Sequence, residues 1–598
     1  MDKKEQLINQ ILKWIKEDEE KIITLLTQLV QCKTPSIPGD TRDAGKLIEN
    51  YFSEEEIAYK KLALYDKMPN FISSTKMAKA GRHLMFNGHL DVLPAGQEQG
   101  WSDDPWSGKI KDGRIFGRGT SDMKAGVVAM LFAYTYLSRL RNSLRGNLSL
   151  SLVSDEETGY GRGTGYLFEE VEKLMVADCV LSAEPSGIDA ISFSSKGYMQ
   201  FVISIETRGS IAGYTNDSKN SIKLASKIIQ DLYELESIQI EIPKILKPML
   251  NNSQWVNHHE KLRGKGHADL LAKVTVDIST IEGGSLLGVI PAKCDFSVAI
   301  VIPIGMDPYA IYEKVQYIID KYPEATLSLE GIDSADVTDP DHKMVHILQD
   351  TVENLGKKRP LPTPDIAISD CRYWRYRGIP AFWYGPDGSN CSAANESVLI
   401  DEVFHIIKTY SFAAITYLLD ESMPNNEEKN LIAQKVETTK KAMTILKSVP
   451  TTHVVALSGV SKSFKEEDLN PVINNLLKKL YQKITIEEIE IGATYIIQYE
   501  MEKLSKGYQV KVIVATPISK KIRELKDLNV IDLPGFPLAV SKIHRGSKNI
   551  TDTWHSLNKW VINNKYKASY IYREVYIIGA PNPEEIWVTE LQQPIVKK

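Results

Sequence analysis

The apolar run His83-Leu-Met-Phe86 is closed by Asn87-Gly88, and His89 and Asp91 follow at once. A run that short, ended by a turn pair, reads as a buried strand. It leaves an imidazole and a carboxylate at the strand's C-terminal end, where α/β sheets gather their chemistry. Downstream, Gly117-Arg-Gly-Thr-Ser-Asp-Met-Lys-Ala-Gly126 is a glycine-rich loop that sets Asp122 just ahead of an apolar helical stretch. One His and one Asp from two such loops suit a metal ion better than a core histidine with a satisfied ring. The arrangement then recurs. The predicted strand 147–154 ends in Asp155-Glu-Glu-Thr-Gly159, and the predicted strand 178–182 ends in Ala183-Glu-Pro-Ser-Gly187. Alternating strands and helices with acidic residues at strand ends is an α/β pattern.

The pair Glu156-Glu157 carries the next step. Neighbouring side chains on extended backbone point to opposite sides. One glutamate can therefore hold a metal while the other takes a proton from the attacking water and later gives it to the leaving amine. A lone Glu-Glu is usually solvated surface; acidic loops at successive strand ends, together with His89, are a stronger sign.

At 598 residues the chain is too long for one core. The spacing predicts helices over 4–31, 43–56 and 124–141 and a strand over 59–64. From about Lys196 the order becomes strand 197–206, helix 218–235, strands 271–281 and 292–302, helix 307–321 and strand 325–331. That βαββαβ order is a complete split-βαβ (ferredoxin-like) sandwich. The first pattern then resumes with helix 341–355, the strand Ala381-Phe-Trp-Tyr384 and helix 400–420. The expected division is a metal-binding α/β domain of residues 1–194 and 334–422, an inserted lid of residues 195–333, a polar linker of residues 423–449, and an α+β domain of residues 450–598. Two β-helix-β arrays, 454–514 and 531–594, suggest a pseudo-repeat inside that last domain.

The net charge of −5 hides an asymmetry: residues 1–429 carry −13 and residues 430–598 carry +8. The basic residues of the tail are scattered, which points to a solvated surface and to no nucleic-acid partner. No apolar run approaches the roughly 20 residues that span a bilayer, and the charged N-terminus has no signal-peptide core. The five cysteines are odd in number, scattered and free of any CxxC pair. Together these features lead us to expect a cytoplasmic protein with no membrane partner.

Taken together, Gly88-His-Leu-Asp91, Trp101 to Gly126, Asp155-Glu-Glu-Thr-Gly159, Ala183-Glu-Pro-Ser186, and Ser369-Asp-Cys-Arg372 with Gly378-Ile-Pro and Gly385-Pro resemble the co-catalytic metallopeptidase family. That family includes acetylornithine deacetylase, succinyl-diaminopimelate desuccinylase and the zinc aminoacylases, and the resemblance covers about residues 1–420. It implies a metal-dependent hydrolase of amide bonds, of the N-acyl amino acid deacylase or dipeptidase type, acting on a small substrate that carries a carboxylate. It also implies one or two Zn2+ (or Co2+/Mn2+) ions per chain and a homodimer. By position, His89, Asp122 and Glu184 would hold one ion, and Asp122 would bridge to a second with Glu157. Glu156 would be the general base, Asp91 would orient His89, and Arg372 would meet the substrate carboxylate. The departures matter as much. The family's second-site histidine falls at Ser392, its lid histidine at Gly213, its lid asparagine at Gly288 and its lid arginine at Val301. Cys391, next to Ser392, could ligate a metal as a thiolate, but strand-like alternation would turn its side chain away from that of Ser392. These losses keep a second reading open, a catalytically impaired pseudo-hydrolase that serves as a ligand-binding or regulatory protein.

The tail resembles the GyrI-like small-molecule-binding domain through Leu533-Pro-Gly-Phe, Ser541-Lys-Ile-His-Arg-Gly546, the helix with Trp554 and Trp560, Tyr572-Arg-Glu-Val-Tyr576, and Glu585 to Pro594. The resemblance implies an aromatic pocket for a second small ligand, formed by Trp554 and Tyr572 with a buried acid at Glu590. Aromatic rings around one acid suit a lipophilic cation; as core side chains they would bind nothing.

Overall fold

The computed structural model describes residues 3–36, 39–96, 100–159, 161–421, 445–449, 452–486, 495–503, 508–518, 528–545, 550–563, 566–578 and 588–597. The expected linker therefore lies almost wholly outside the described residues. Two compact units emerge. The first is built of described residues within Met1–Lys196, Glu241–Ala272 and Ala335–Lys435, and the second of those within Gly197–Ile240, Lys273–Ser334 and Val436–Lys598.

The first unit is organised by an eight-stranded sheet in the order Tyr59–Leu62, Asn70–Lys76, Arg145–Val153, Lys79–His89, Cys179–Ser182, Ala381–Trp383, Ala190–Ser192, Leu361–Thr363. Arg145–Val153 and Cys179–Ser182 flank Lys79–His89 and run parallel to it, and Ala381–Trp383 runs parallel to Cys179–Ser182. Parallel neighbours cannot be joined by a tight hairpin and need a crossover. The helices Ala125–Arg139 and Thr164–Met175 lie within those crossovers. Four adjacent strands thus end on one edge, and the loops that leave it carry the acidic motifs.

Both sheet faces are covered, so the central strand is apolar on both sides. Phe86 packs edge-on against Tyr410 of the helix Ile400–Leu419, with ring centroids 5.2 Å apart. Met85, one residue back, points to the other face and joins Leu167, Phe168 and Trp374. The helix Ala125–Arg139 is buried from Ala125 to Leu137 because it packs against both the sheet and Ile400–Leu419. Among the described residues no helix is long and apolar enough to cross a membrane.

Some expectations shift. The helix expected over 4–31 is two, Lys3–Glu17 and Glu19–Gln31, which meet at Asp18, whose carboxylate accepts from Tyr136 Oη at 3.0 Å. The central strand runs from Lys79 rather than His83, because ladder pairing with Arg145–Val153 continues past the apolar run. Residues 241–272 fall within the expected lid, yet they pack in the first unit. There Trp255 Nε1 donates to the Pro362 carbonyl at 3.4 Å, His259 Nδ1 lies 2.6 Å from Thr363 Oγ1, and Arg263 pairs with Asp365 at 2.6 Å.

In the second unit, Thr275–Gly283, Lys293–Ile302, Gly197–Glu206 and Ala325–Asp333 form an antiparallel sheet in that order, with the helices Ser221–Tyr233 and Pro308–Ile319 packed on it. This is the split-βαβ arrangement. A separate nine-stranded sheet holds the C-terminal strands. At its centre Tyr495–Lys503 pairs with Ile571–Ile578, and each is followed outward by its own repeat's partners, Tyr508–Pro517 and Thr452–Ser461 on one side, Val588–Lys597 and Phe536–Arg545 on the other. The repeats also exchange strands, since Ile445–Val449 pairs with Phe536–Arg545 and Asn529–Leu533 with Thr452–Ser461. The paired strand Ile445–Val449 belongs to this sheet although the expected linker ran to residue 449.

Phe86→Ala should cost about 3–5 kcal/mol by opening a cavity under Tyr410. Chemical denaturation followed by tryptophan fluorescence would measure it as an earlier midpoint for the first unit.

Candidate metal centre and active site

His89 is the last residue of its strand and is fully enclosed, at 1% exposure. Its Nδ1 lies 2.9 Å from the main-chain carbonyl of Asp91, so the ring N–H donates there and Nε2 faces the cleft. Nε2 sits 3.2 Å from Asp122 Oδ1 and 3.6 Å from Glu184 Oε2. Ligand atoms of His89, Asp122 and Glu184 all lie within 4.8 Å of one another. Asp122 leaves the glycine-rich loop just before the helix Ala125–Arg139. Gly126 lets that helix seat on the Glu184 loop, since a Cβ there would meet the Ala183 carbonyl at 2.3 Å.

Asp91 has two duties. Its carbonyl fixes the His89 ring, while its carboxylate accepts from the backbone N–H groups of Glu156, at 3.2 Å, and Glu157, at 3.1 Å. The carboxylate thereby anchors the whole Glu156-Glu157 turn. Glu157 Oε1 accepts from Leu93 N–H at 3.1 Å. Arg372 is buried with its Nη1 3.8 Å from Glu156 Oε1 and its guanidinium 4.7 Å over the Tyr373 ring. The expected partner of Arg372 was a substrate carboxylate; its burial in the short helix Cys371–Arg375 gives it Glu156 as a neighbour.

The electrostatics follow from this crowding. Burial lifts Glu156 and Glu157 well above the usual carboxylate range, and the charges of Glu184 and Asp122 beside them push the same way. Burial also raises Glu184 to about 7 and Asp91 to about 6, against the opposing pull of His89. His89 goes the other way. Burial disfavours its charge, but Glu184, Asp122 and Asp91 together hold it well above its ordinary value. The cleft calls for positive charge, and one imidazole with convergent carboxylates fits a divalent cation.

Two residues to which the sequence assigned no role prove central to this geometry. Arg118 and Glu396 form a buried pair at 2.5 Å. The other oxygen of Glu396 accepts from the backbone N–H of Ser121 at 2.9 Å and of Asp122 at 3.3 Å. Arg118 Nη2 also donates to the Ser392 carbonyl at 2.9 Å. The pair therefore bolts the Asp122 loop to the loop that follows Gly388. Cys391, expected to turn away from the position of Ser392, instead points inward. Its thiol donates to Asp122 Oδ2 at 3.1 Å and lies 3.5 Å from Ser392 Oγ. Ser392 adopts a positive φ of 60°, which breaks the strand-like alternation behind that expectation. In the second unit Ala212 N–H donates to the Gly288 carbonyl at 2.9 Å. The lid positions 213 and 288 are thus close neighbours, and both are glycine.

The C-terminal sheet carries its own polar centre. Glu574 is buried on the central strand Ile571–Ile578. Its carboxylate accepts from Trp554 Nε1 at 2.9 Å, Tyr499 Oη at 2.9 Å and Tyr576 Oη at 3.0 Å. Tyr572 meets Trp554 edge-on at 5.6 Å and Phe464 at 5.6 Å. Trp554 and Tyr572 thus come together as expected from their motifs. Glu590 pairs in register with Val575, and its side chain lies outside the described residues, as does that of Trp560. The acid that the described residues bring to the rings is Glu574, which sits two residues from Tyr572 in a motif where no acid was singled out.

Residues 85–415 match peptidase family M20/M25/M40, and residues 445–596 match the GyrI-like small molecule binding domain. The chain belongs to peptidase family M20/M25/M40. It is a metal-dependent amidohydrolase by family, fused to a GyrI-like module. Among relatives, the succinyl-diaminopimelate desuccinylase of Sulfurovum sp. is 28% identical over 400 residues, which are 65% of this chain and 97% of the relative. The N-formyl-4-amino-5-aminomethyl-2-methylpyrimidine deformylase of Bacillus subtilis is 24% identical over 437 residues, 68% of this chain and 96% of the relative. In fold, the chain is similar to the di-peptidase Dug1p of Saccharomyces cerevisiae, with a TM-score of 0.60 at 16% identity over 69% of this chain and 99% of that one. An M20 family metallo-carboxypeptidase of Sulfolobus solfataricus superposes with a TM-score of 0.58 at 20% identity over 68% of this chain and 100% of that one.

Arg118→Met would leave Glu396 buried without its cation, a loss worth about 3–5 kcal/mol. Zinc titration of this M20 chain should then show about 10–100-fold weaker binding, because Glu396, which supports Asp122, is no longer fixed.

Proposed function

We propose that this chain is a zinc-dependent hydrolase of amide bonds in small N-acyl amino acids or dipeptides. The observation that carries the reading is the convergence of His89 Nε2, Asp122 and Glu184, with Glu156 held beside them by the Asp91 carboxylate. His89, Asp122 and Glu184 would hold one ion, and Glu157 would join Asp122 at a second. A divalent cation bound there would polarise the scissile carbonyl and lower the pKa of water towards about 7. Glu156 takes the proton of the attacking water and returns it to the leaving amine. Its raised affinity for protons suits that exchange, and Arg372 behind it steadies its charged form. The desuccinylase relative favours a succinyl group, which bears a second carboxylate, so N-succinyl amino acids head the substrate panel. A cytoplasmic location is supported by five free cysteines, and a homodimer remains part of the reading.

One observation favours a second reading. With glycine at both neighbouring lid positions, 213 and 288, the donors that the family resemblance implies are missing, as a binding protein without turnover would allow. Full-length protein loaded with zinc and offered N-succinyl amino acids, N-acetyl amino acids and dipeptides separates the two. Hydrolysis that falls about 10²–10⁴-fold in Glu156→Gln, with zinc content unchanged, supports the enzyme. Zinc binding without hydrolysis of any of them supports the binder.

For the GyrI-like module we propose a lipophilic cation seated on Phe464, Trp554 and Tyr572 and paired with Glu574. Burial raises the Glu574 carboxyl, and the bonds from Trp554, Tyr499 and Tyr576 pull it part of the way back. An acid raised on folding destabilises the fold once pH exceeds its unfolded value, and this loss grows until its folded pKa is passed. Cation affinity should accordingly rise with pH through the raised pKa. Glu574→Gln should abolish that rise while making the module more stable at neutral pH. Fluorescence titration with a tetraphenyl-type cation across pH 4–8, alongside thermal melts, measures both.

A further inference from the structure

We infer that Cys391 is a metal ligand, supplying a thiolate to a second cation on Asp122 in place of the family's histidine. The inference rests on the metal-dependent reading above and deepens it. Asp122 is approached from two sides: its Oδ1 faces His89 Nε2 at 3.2 Å, and its Oδ2 faces Cys391 Sγ at 3.1 Å. A carboxylate with one oxygen towards an imidazole and the other towards a sulfur is laid out to bridge two ions.

The placement of the thiol is built into the fold. Ser392 takes φ 60° and is exposed, while Cys391 turns in. The Arg118–Glu396 pair ties both loops together, with Arg118 on the Ser392 carbonyl and Glu396 on the Asp122 N–H. Among the described residues, the histidine recorded against Asp122 is His89. The sequence has no histidine between His346 and His405, and His405 is buried in its helix 2.8 Å from Tyr384 Oη. The donor change has a chemical consequence. Thiolate is a strong zinc ligand, and sulfur favours zinc or cobalt over manganese and magnesium. Binding would exchange the Cys391 S–H proton, released to solvent, for the cation.

Cobalt spectroscopy of the full-length protein tests this without relying on turnover. Titration of the metal-free protein with Co2+ should give visible d–d bands with the first ion and a near-ultraviolet sulfur-to-cobalt charge-transfer band with the second. In Cys391→Ser, a near-isosteric change at a half-exposed position, the charge-transfer band should vanish and stoichiometry should drop from two ions to one. Cys391→His should restore the second ion without that band and admit Mn2+. Peptide mapping should find Cys391 shielded from iodoacetamide by zinc in the wild type. Cobalt d–d bands with no charge-transfer band would overturn the inference while leaving the metal centre standing, as would two ions retained by Cys391→Ser. No cobalt bound at all would overturn both.

Discussion

Asp91, Asp122, Glu156, Glu157 and Glu184 share one cleft with a single imidazole. Like charges about 4 Å apart cost about 4 kcal/mol at the effective dielectric of a protein surface, so such a cluster must give up charge or be neutralised. Asp91, Glu156, Glu157 and Glu184 show the strain as raised proton affinities; Asp122, despite its burial, is lowered by its hydrogen bond to His89, whose own proton affinity is raised in turn. The remaining architecture of the first unit serves to hold these groups together. Parallel strands bring their ends to one edge, helices on both faces keep the strands buried, and Asp91 and the Arg118–Glu396 pair fix the loops from behind.

Much of this was legible in the chain itself. The apolar run before His89 and the acidic motifs after the predicted strands are local patterns, although the central strand runs on through the expected turn pair Asn87-Gly88 to His89. The βαββαβ order of the inserted domain was legible too. What escaped the sequence depends on contacts between distant residues or on single backbone angles. Arg118 and Glu396 lie 278 positions apart, and nothing in either neighbourhood announces the other. The inward turn of Cys391 hinges on the positive φ of Ser392, which an alternation argument cannot foresee. Residues 241–272 sit between strands of the inserted domain in sequence, yet their polar partners, Pro362, Thr363 and Asp365, come from the first unit.

The C-terminal module repeats the theme of one acid among hydrogen-bond donors, with a different outcome. Here two strand-helix-strand-strand repeats meet at the pair Tyr495–Lys503 and Ile571–Ile578, so that Ile497 opposes Glu574 and Tyr499 opposes Tyr572. The pairing delivers Tyr499, Tyr572 and Tyr576 to the same neighbourhood, and the helix Ile550–Asn563 adds Trp554. Three donors satisfy the carboxylate, which is why it can stay buried. The acidic cleft invites a compact divalent cation; this aromatic setting suits a large, weakly hydrated one.

Anomalous diffraction from crystals of the full-length protein grown with zinc, recorded on both sides of the zinc edge, tests the central claim most directly. The account predicts a peak about 2.0–2.2 Å from His89 Nε2 and from carboxylate oxygens of Asp122 and Glu184. A zinc-soaked crystal without a peak there, its cleft closed by the Asp122 and Glu184 contacts to His89 alone, would contradict it.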